Sequence, residues 1–197
     1  MIILKKLKNS FYRALIIPFI LIIIIAASRK EHVDVGHNLQ LALPVIGLGC
    51  SIVNGSALDY SIRYLILNIG IQASKYGLGE TALNLRPNAK YFGFPSGHAA
   101  ASIYGASYIA RNGVQKNPVM QVFVFASAGY VGFSRIEDEE HTLTQVIFGF
   151  LFGLFVEISF RKPRHKKRIF KNKTFNNKER YLRFLNIRGL FNLKKNK

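Results

Sequence analysis

Cysteine and acidic residues are scarce in this chain of 197 residues. The one cysteine, Cys50, lies inside an apolar run, which excludes an intramolecular disulfide and a cysteine metal cluster. Only 10 Asp and Glu stand against 28 Lys and Arg, so the formal net charge is +18. No internal repeat is visible in the sequence, and the length suits a single domain.

A positive charge of this size is common in nucleic-acid-binding proteins, but its distribution here indicates a different partner. Of the 28 basic residues, 15 follow position 160, and most of the others flank long apolar runs. Aromatic motifs for stacking on bases are not evident. The pattern is typical of a membrane protein with basic cytoplasmic edges, and it predicts no nucleic-acid partner.

The apolar runs predict an all-α fold, an integral membrane bundle of six transmembrane helices. A helix needs about 20 largely apolar residues to cross the hydrocarbon core. The predicted spans are 11–28, 39–53, 57–76, 97–112, 118–136 and 142–160. A cleaved signal peptide is the alternative for the first span, because Ala26-Ala27-Ser28 is similar to a small-residue cleavage site.

The charges in the short loops predict the orientation of this bundle. The N-terminal tail and the loop with Arg111 and Lys116 are basic and contain no acid, and the tail 161–197 is strongly basic. All three segments fall on one side, which is therefore cytoplasmic, with both termini inside. We expect a membrane domain over 1–160 and a tail over 161–197. Residues 178–193 of that tail suit a surface helix that binds anionic lipids.

Polar residues that suit an anion collect at the opposite, non-cytoplasmic face of the predicted bundle. They are Lys75, Arg86, Ser96, His98, Ser134, Arg135 and His141. The sequence Pro95-Ser96-Gly97 opens the fourth helix, and a helix N-terminus binds phosphate through its unpaired N–H groups. Ordinary N-capping by Ser96 is the alternative explanation, but it does not account for His98 or for the second cluster around His141.

Three motifs in this order resemble the phosphatidic acid phosphatase type 2 family. The family signature is Lys-x6-Arg-Pro in most members, then Pro-Ser-Gly-His, then Ser-Arg-x5-His-x3-Asp. The chain has "KYGLGETALNLRP", "PSGH" and "SRIEDEEHTLTQ" within residues 75–145. Pro-Ser-Gly-His alone is a weak signal, but the ordered set on one predicted face is a strong one.

The resemblance implies a phosphatase that needs no metal or other cofactor. His141 would be the nucleophile that forms a phosphohistidine, and His98 the general acid for the leaving oxygen. The residues that would bind the phosphoryl oxygens are Lys75, Arg86, Ser96, Gly97 and Arg135, with Ser134 and Gln145 in support.

The chain departs from the family signature at two places. Ten residues separate Lys75 from Arg86 where most members have six, and this longer loop resembles the bacterial lipid A phosphatases. Gln145 stands where the family has the aspartate that orients the histidine. One of the four acids at 137–140 is an alternative source of that carboxylate, and a solvated acidic loop is the other interpretation.

These observations together predict a lipid phosphatase at the periplasmic face of a bacterial inner membrane, with lipid A as the first candidate substrate. An undecaprenyl diphosphate or phosphatidylglycerophosphate phosphatase and a lipid phosphotransferase are the alternatives within enzymes. Because Gln145 brings no charge, an inactive phospholipid-binding protein is the alternative from another class.

Overall fold

The computed structural model describes residues 9–28 and 32–159, and within these ranges the chain is all-helical, with six helices and no strand. In chain order the helices are α1 (Ser10–Ala27), α2 (His32–Val53), α3 (Ala57–Leu78), α4 (Gly97–Asn112), α5 (Pro118–Glu137) and α6 (Leu143–Ser159). The predicted all-α fold is therefore confirmed. The tail 161–197 and its predicted helix at 178–193 lie outside the described residues.

Five of the six helices agree with their predicted ranges to within two residues, but the predicted start of α2 was wrong. This helix begins at His32 instead of residue 39. The added residues mix polar side chains with Val33 and Val35 and contain no proline, and Gly36 among them packs against the side chain of Ser134 at the end of α5. Contact with a neighbouring helix thus extends α2 beyond its apolar run.

Helix α4 lies at the centre of the bundle and packs against α2, α5 and α6. Its small side chains are buried, and an added Cβ at Gly105 would lie 2.5 Å from the carbonyl carbon of Leu43. Two glycines of α6 face the same helix, Gly149 against the Ser96 carbonyl and Gly153 against the Ala100 carbonyl. The glycine pair of α6 therefore serves internal packing and brings the start of α4 close to the start of α6.

Two of the helices are long and apolar enough to cross a membrane on their own, over Val35–Val53 and Pro118–Glu137. The segments Tyr12–Ala27 and Leu143–Ser159 are also apolar but shorter. Large apolar side chains such as Phe19, Leu65 and Val122 are exposed on the outside of the bundle. These features are compatible with a membrane protein, and a count of six spans stays a prediction.

Candidate active site

Four helix ends and two loops meet at one end of the bundle. The end of α3, the start of α4, the end of α5 and the start of α6 lie there, and backbone hydrogen bonds join the segments between them. The Ser96 amide donates to the Gln145 carbonyl at 2.9 Å, and the Asn88 amide donates to the Glu139 carbonyl at 3.2 Å. The predicted site residues, which lie between Lys75 and Gln145 in the chain, are thereby gathered at one end.

His98 and His141 approach each other across this end of the bundle. Their ring centroids are 6.4 Å apart, with the ring planes at 57°. His98 lies in the first turn of α4 and is partly exposed, whereas His141 lies just before α6 and is buried. The two rings therefore lie close enough for both to contact a single phosphoryl group.

Each predicted arginine of the site has a carboxylate partner from the acidic segment 137–140. Arg86 Nη1 lies 2.6 Å from Glu140, and Arg135 Nη2 lies 2.9 Å from Asp138. These acids therefore hold the two arginines. The structure thus favours neither of the interpretations left open by the sequence, a carboxylate that orients His141 or a merely solvated loop.

The remaining predicted residues surround the histidines in different ways. Lys75, at the end of α3, is half-buried and close enough to interact electrostatically with both His98 and His141. Ser134 is fully buried, and its hydroxyl accepts from Arg135 Nε at 3.4 Å. Ser134 thus contacts Arg135, which is one of the residues predicted to bind phosphate.

Ser96 performs the capping role that was the alternative explanation of its position. Its side chain accepts a hydrogen bond from the Ala99 amide at 3.4 Å, and the residue is completely buried. The hydroxyl proton is not used in that bond, so capping is compatible with donation to an anion. Gly97 follows at the partly buried N-terminus of α4, where an added Cβ would make only ordinary contact with Ile71.

Gln145 is the residue that contacts the His141 ring, a partner that the sequence alone did not identify. Its Oε1 lies 3.1 Å from Nδ1 of His141, and the whole side chain is buried. The same amide reaches the α3–α4 loop, because Nε2 donates to the carbonyls of Leu83 at 3.1 Å and Leu85 at 2.8 Å. A neutral amide thus occupies the place of the family's aspartate.

The surroundings of His141 favour the neutral imidazole. Burial lowers its pKa to about 4, and the positive charges of Arg86 and Lys75 act in the same direction. The hydrogen bond to Gln145 and the charge of Glu140 oppose this shift without reversing it. A neutral imidazole has a lone pair for nucleophilic attack, so the site holds this residue in a reactive form.

Asn84 is a structural determinant of the site that sequence reasoning missed. It is completely buried, and its Nδ2 donates to the carbonyls of Lys75 at 2.8 Å and Gly79 at 2.7 Å. Its Oδ1 accepts from the Phe94 amide at 2.9 Å. Asn84 therefore joins the end of α3 to the segment that immediately precedes α4. An asparagine in a polar loop gives no sequence signal for such a role.

Comparison with known proteins agrees with the motifs. Residues 63–168 match the family model described as the PAP2 superfamily, which is more than half of the chain. This range contains all of the predicted site residues. No curated protein and no solved structure matches the chain significantly.

Proposed function

The chain belongs to the PAP2 superfamily, and we propose that it is a membrane lipid phosphatase that works through a phosphohistidine at His141. The family is generally one of phosphatases that act on lipid or other phosphate esters. The proposal rests mainly on His98 and His141, whose ring centroids lie 6.4 Å apart. Arg86, Arg135 and Lys75 surround this pair.

In the first step, the lone pair on Nε2 of neutral His141 attacks phosphorus and forms the N–P bond. The P–O bond to the lipid breaks, and protonated His98 gives its proton to the leaving oxygen. Negative charge on the phosphoryl oxygens is stabilised by Arg86, Arg135 and Lys75 in a preorganised arrangement. Such electrostatic stabilisation is worth roughly 3–4 kcal/mol for each well-placed donor.

In the second step, water attacks the phosphohistidine and the N–P bond breaks. His98 now takes a proton from the water, which restores both histidines to their starting states. Inorganic phosphate leaves the site. Transfer to a second lipid instead of water would follow the same steps, because only the acceptor oxygen differs.

An apolar groove beside the site supports a lipid as the substrate. It has a volume of about 140 Å³ and runs between α3 and α6. Its lining consists of Gly70, Ser74, Phe94, Pro95, Phe148 and Phe152. Phe94 and Pro95 immediately precede Ser96, so an acyl chain in the groove would place its phosphate at the start of α4. Lipid A at the outer leaflet of a bacterial inner membrane is our first candidate, because the Lys75–Arg86 loop is long.

Phosphate release by the purified protein in detergent, with EDTA present, tests this proposal. The substrates are lipid A, undecaprenyl diphosphate and phosphatidylglycerophosphate. We expect release from one of them and a loss of at least ~10³-fold in His141→Ala. His37→Ala is the matched control, since His37 is an exposed histidine close enough to His98 to interact with it electrostatically but has no part in the proposed steps. Absence of release from every lipid would contradict the proposal and leave a binding protein.

A further inference from the structure

Gln145 has four hydrogen-bonding partners, which is the full capacity of its side-chain amide, with two donors and two acceptor lone pairs. The two N–H groups of Nε2 face the carbonyls of Leu83 and Leu85. Oε1 faces Nδ1 of His141 and the Thr142 amide, which donates to it at 3.3 Å. The group is buried, so each of these bonds replaces a bond to water.

The orientation of this amide determines the protonation of the His141 ring. Two carbonyl oxygens can accept hydrogen bonds but cannot donate them, so the NH2 group must point towards Leu83 and Leu85. The oxygen therefore points towards His141, and Nδ1 of the ring must donate the proton. In a neutral imidazole only one nitrogen is protonated, which leaves Nε2 with the lone pair.

The amide also joins two parts of the site that are far apart in the chain. Leu83 and Leu85 belong to the loop that carries Arg86, and Gln145 belongs to the first turn of α6. Gly93 in the same loop packs directly on this amide, because an added Cβ would lie 2.6 Å from both of its polar atoms. An aspartate or glutamate at position 145 could not donate to the two carbonyls.

We infer that Gln145 is a positioning residue that holds His141 as its Nδ1–H tautomer and anchors the Arg86 loop to the start of α6. The inference rests on the proposed function for its meaning in catalysis. The His141 tautomer and the anchoring of the loop can both be measured without any substrate.

Gln145 also helps to cap the start of α6, and the test has to separate this role from the positioning of His141 and the loop. Thr142 precedes α6, and its Oγ1 accepts from the Gln145 amide at 3.2 Å while Gln145 Oε1 accepts from the Thr142 amide. This is a capping box, which stabilises the helix start. Thr142→Ala removes half of the capping box but leaves the three side-chain bonds that define the inference, to His141, Leu83 and Leu85, so it is the matched control.

The test compares wild type with Gln145→Met, Gln145→Glu and Thr142→Ala. Nitrogen NMR of labelled histidine reports the His141 tautomer, with His141→Ala for assignment, and hydrogen exchange reports the loop 83–93. We expect Gln145→Met to give a mixture of tautomers and faster loop exchange. Gln145→Glu keeps the capping box and the acceptor for His141, so we expect the wild-type tautomer with faster loop exchange. Thr142→Ala should match wild type in both.

Kinetics complete the test if the wild-type protein releases phosphate. We expect kcat/KM to fall about 10–100-fold in Gln145→Met and to stay within threefold of wild type in Thr142→Ala. The inference is overturned if Gln145→Met keeps the wild-type tautomer or if its loop exchanges no faster. Because neither readout needs turnover, a wild-type protein without phosphatase activity would contradict the proposed function and leave this result intact.

Discussion

In the proposed mechanism His141 must be unprotonated to attack phosphorus, and burial near Arg86 and Lys75 lowers its pKa to about 4 from an ordinary value near 6.5. The folded state therefore binds fewer protons at this residue than the unfolded state between about pH 4 and pH 6.5. It follows that His141 has no effect on stability above pH 6.5 and reduces stability as the pH falls towards 4. The nucleophile is thus available throughout the neutral and mildly acidic range.

An NMR titration of the histidine side chains measures this directly. We expect the His141 midpoint near pH 4, with little protonation at pH 6. The resonance that is absent from His141→Ala identifies the residue. A midpoint at or above 6.5 would show that burial and the neighbouring cations do not hold the ring in the neutral form.

Among the helices, α3, α4 and α6 share a buried carboxylate at the end of the bundle remote from the site. Glu157 is completely buried and accepts from Ser107 Oγ at 2.8 Å and from Arg111. Arg63 donates to the Glu157 backbone carbonyl at 2.9 Å and pairs with Asp59 at the same distance. These contacts join three helices through one charged group.

Removal of the charge on Glu157 should strongly destabilise the bundle. Glu157→Gln removes the buried carboxylate that Arg63 and Arg111 both contact, and breaking a buried pair in this way costs about 3–5 kcal/mol. Asp59→Asn is the control, because the side chain of Asp59 is more exposed than that of Glu157; we expect a loss of about 1 kcal/mol or less. Denaturant unfolding in detergent measures both changes. Equal losses would show that burial of the carboxylate is unimportant.

The groove between α3 and α6 leads to a prediction about substrate class. Gly70 lines the groove, and an added Cβ would lie 2.5 Å from the ring of Phe152. We expect Gly70→Leu to lower kcat/KM at least ~10-fold for a long-chain lipid phosphate while p-nitrophenyl phosphate is hydrolysed at nearly the wild-type rate. Gly129→Leu is the control, since that position in α5 is open. Equal losses on both substrates would contradict an acyl-chain groove.

At the scale of the whole molecule, the order of the six described helices predicts which of their loops lie on the same side of the membrane. The α3–α4 and α5–α6 loops meet at the site, and the α4–α5 loop lies at the other end of α4. In a Cys50→Ala background, we expect Thr81→Cys to react with an impermeant maleimide in intact spheroplasts. Gln115→Cys should react only after permeabilisation. The reverse pattern would place the site on the cytoplasmic side.

Local signals were sufficient to predict most of the helices and the grouping of the site residues. The range of α4 follows from Pro95 and Ser96 at its start and Gly113 after its end, which are short-range signals. Contacts across the bundle were not predictable in this way. The start of α2 depends on Gly36 packing against α5, and the partners of Asn84 and Gln145 depend on the path of a loop without periodic pattern.

Trapping of the phosphoryl-enzyme tests the central claim most directly. The protein is incubated with p-nitrophenyl phosphate and quenched in base, and the peptides are analysed by mass spectrometry in wild type, His98→Ala and His141→Ala. Nitrophenolate leaves without a general acid, but hydrolysis of the intermediate still needs His98. We therefore predict a phosphoryl group on His141 that is most abundant in His98→Ala and absent from His141→Ala. Phosphate release without any phosphoryl group on His141 in His98→Ala would contradict the claim.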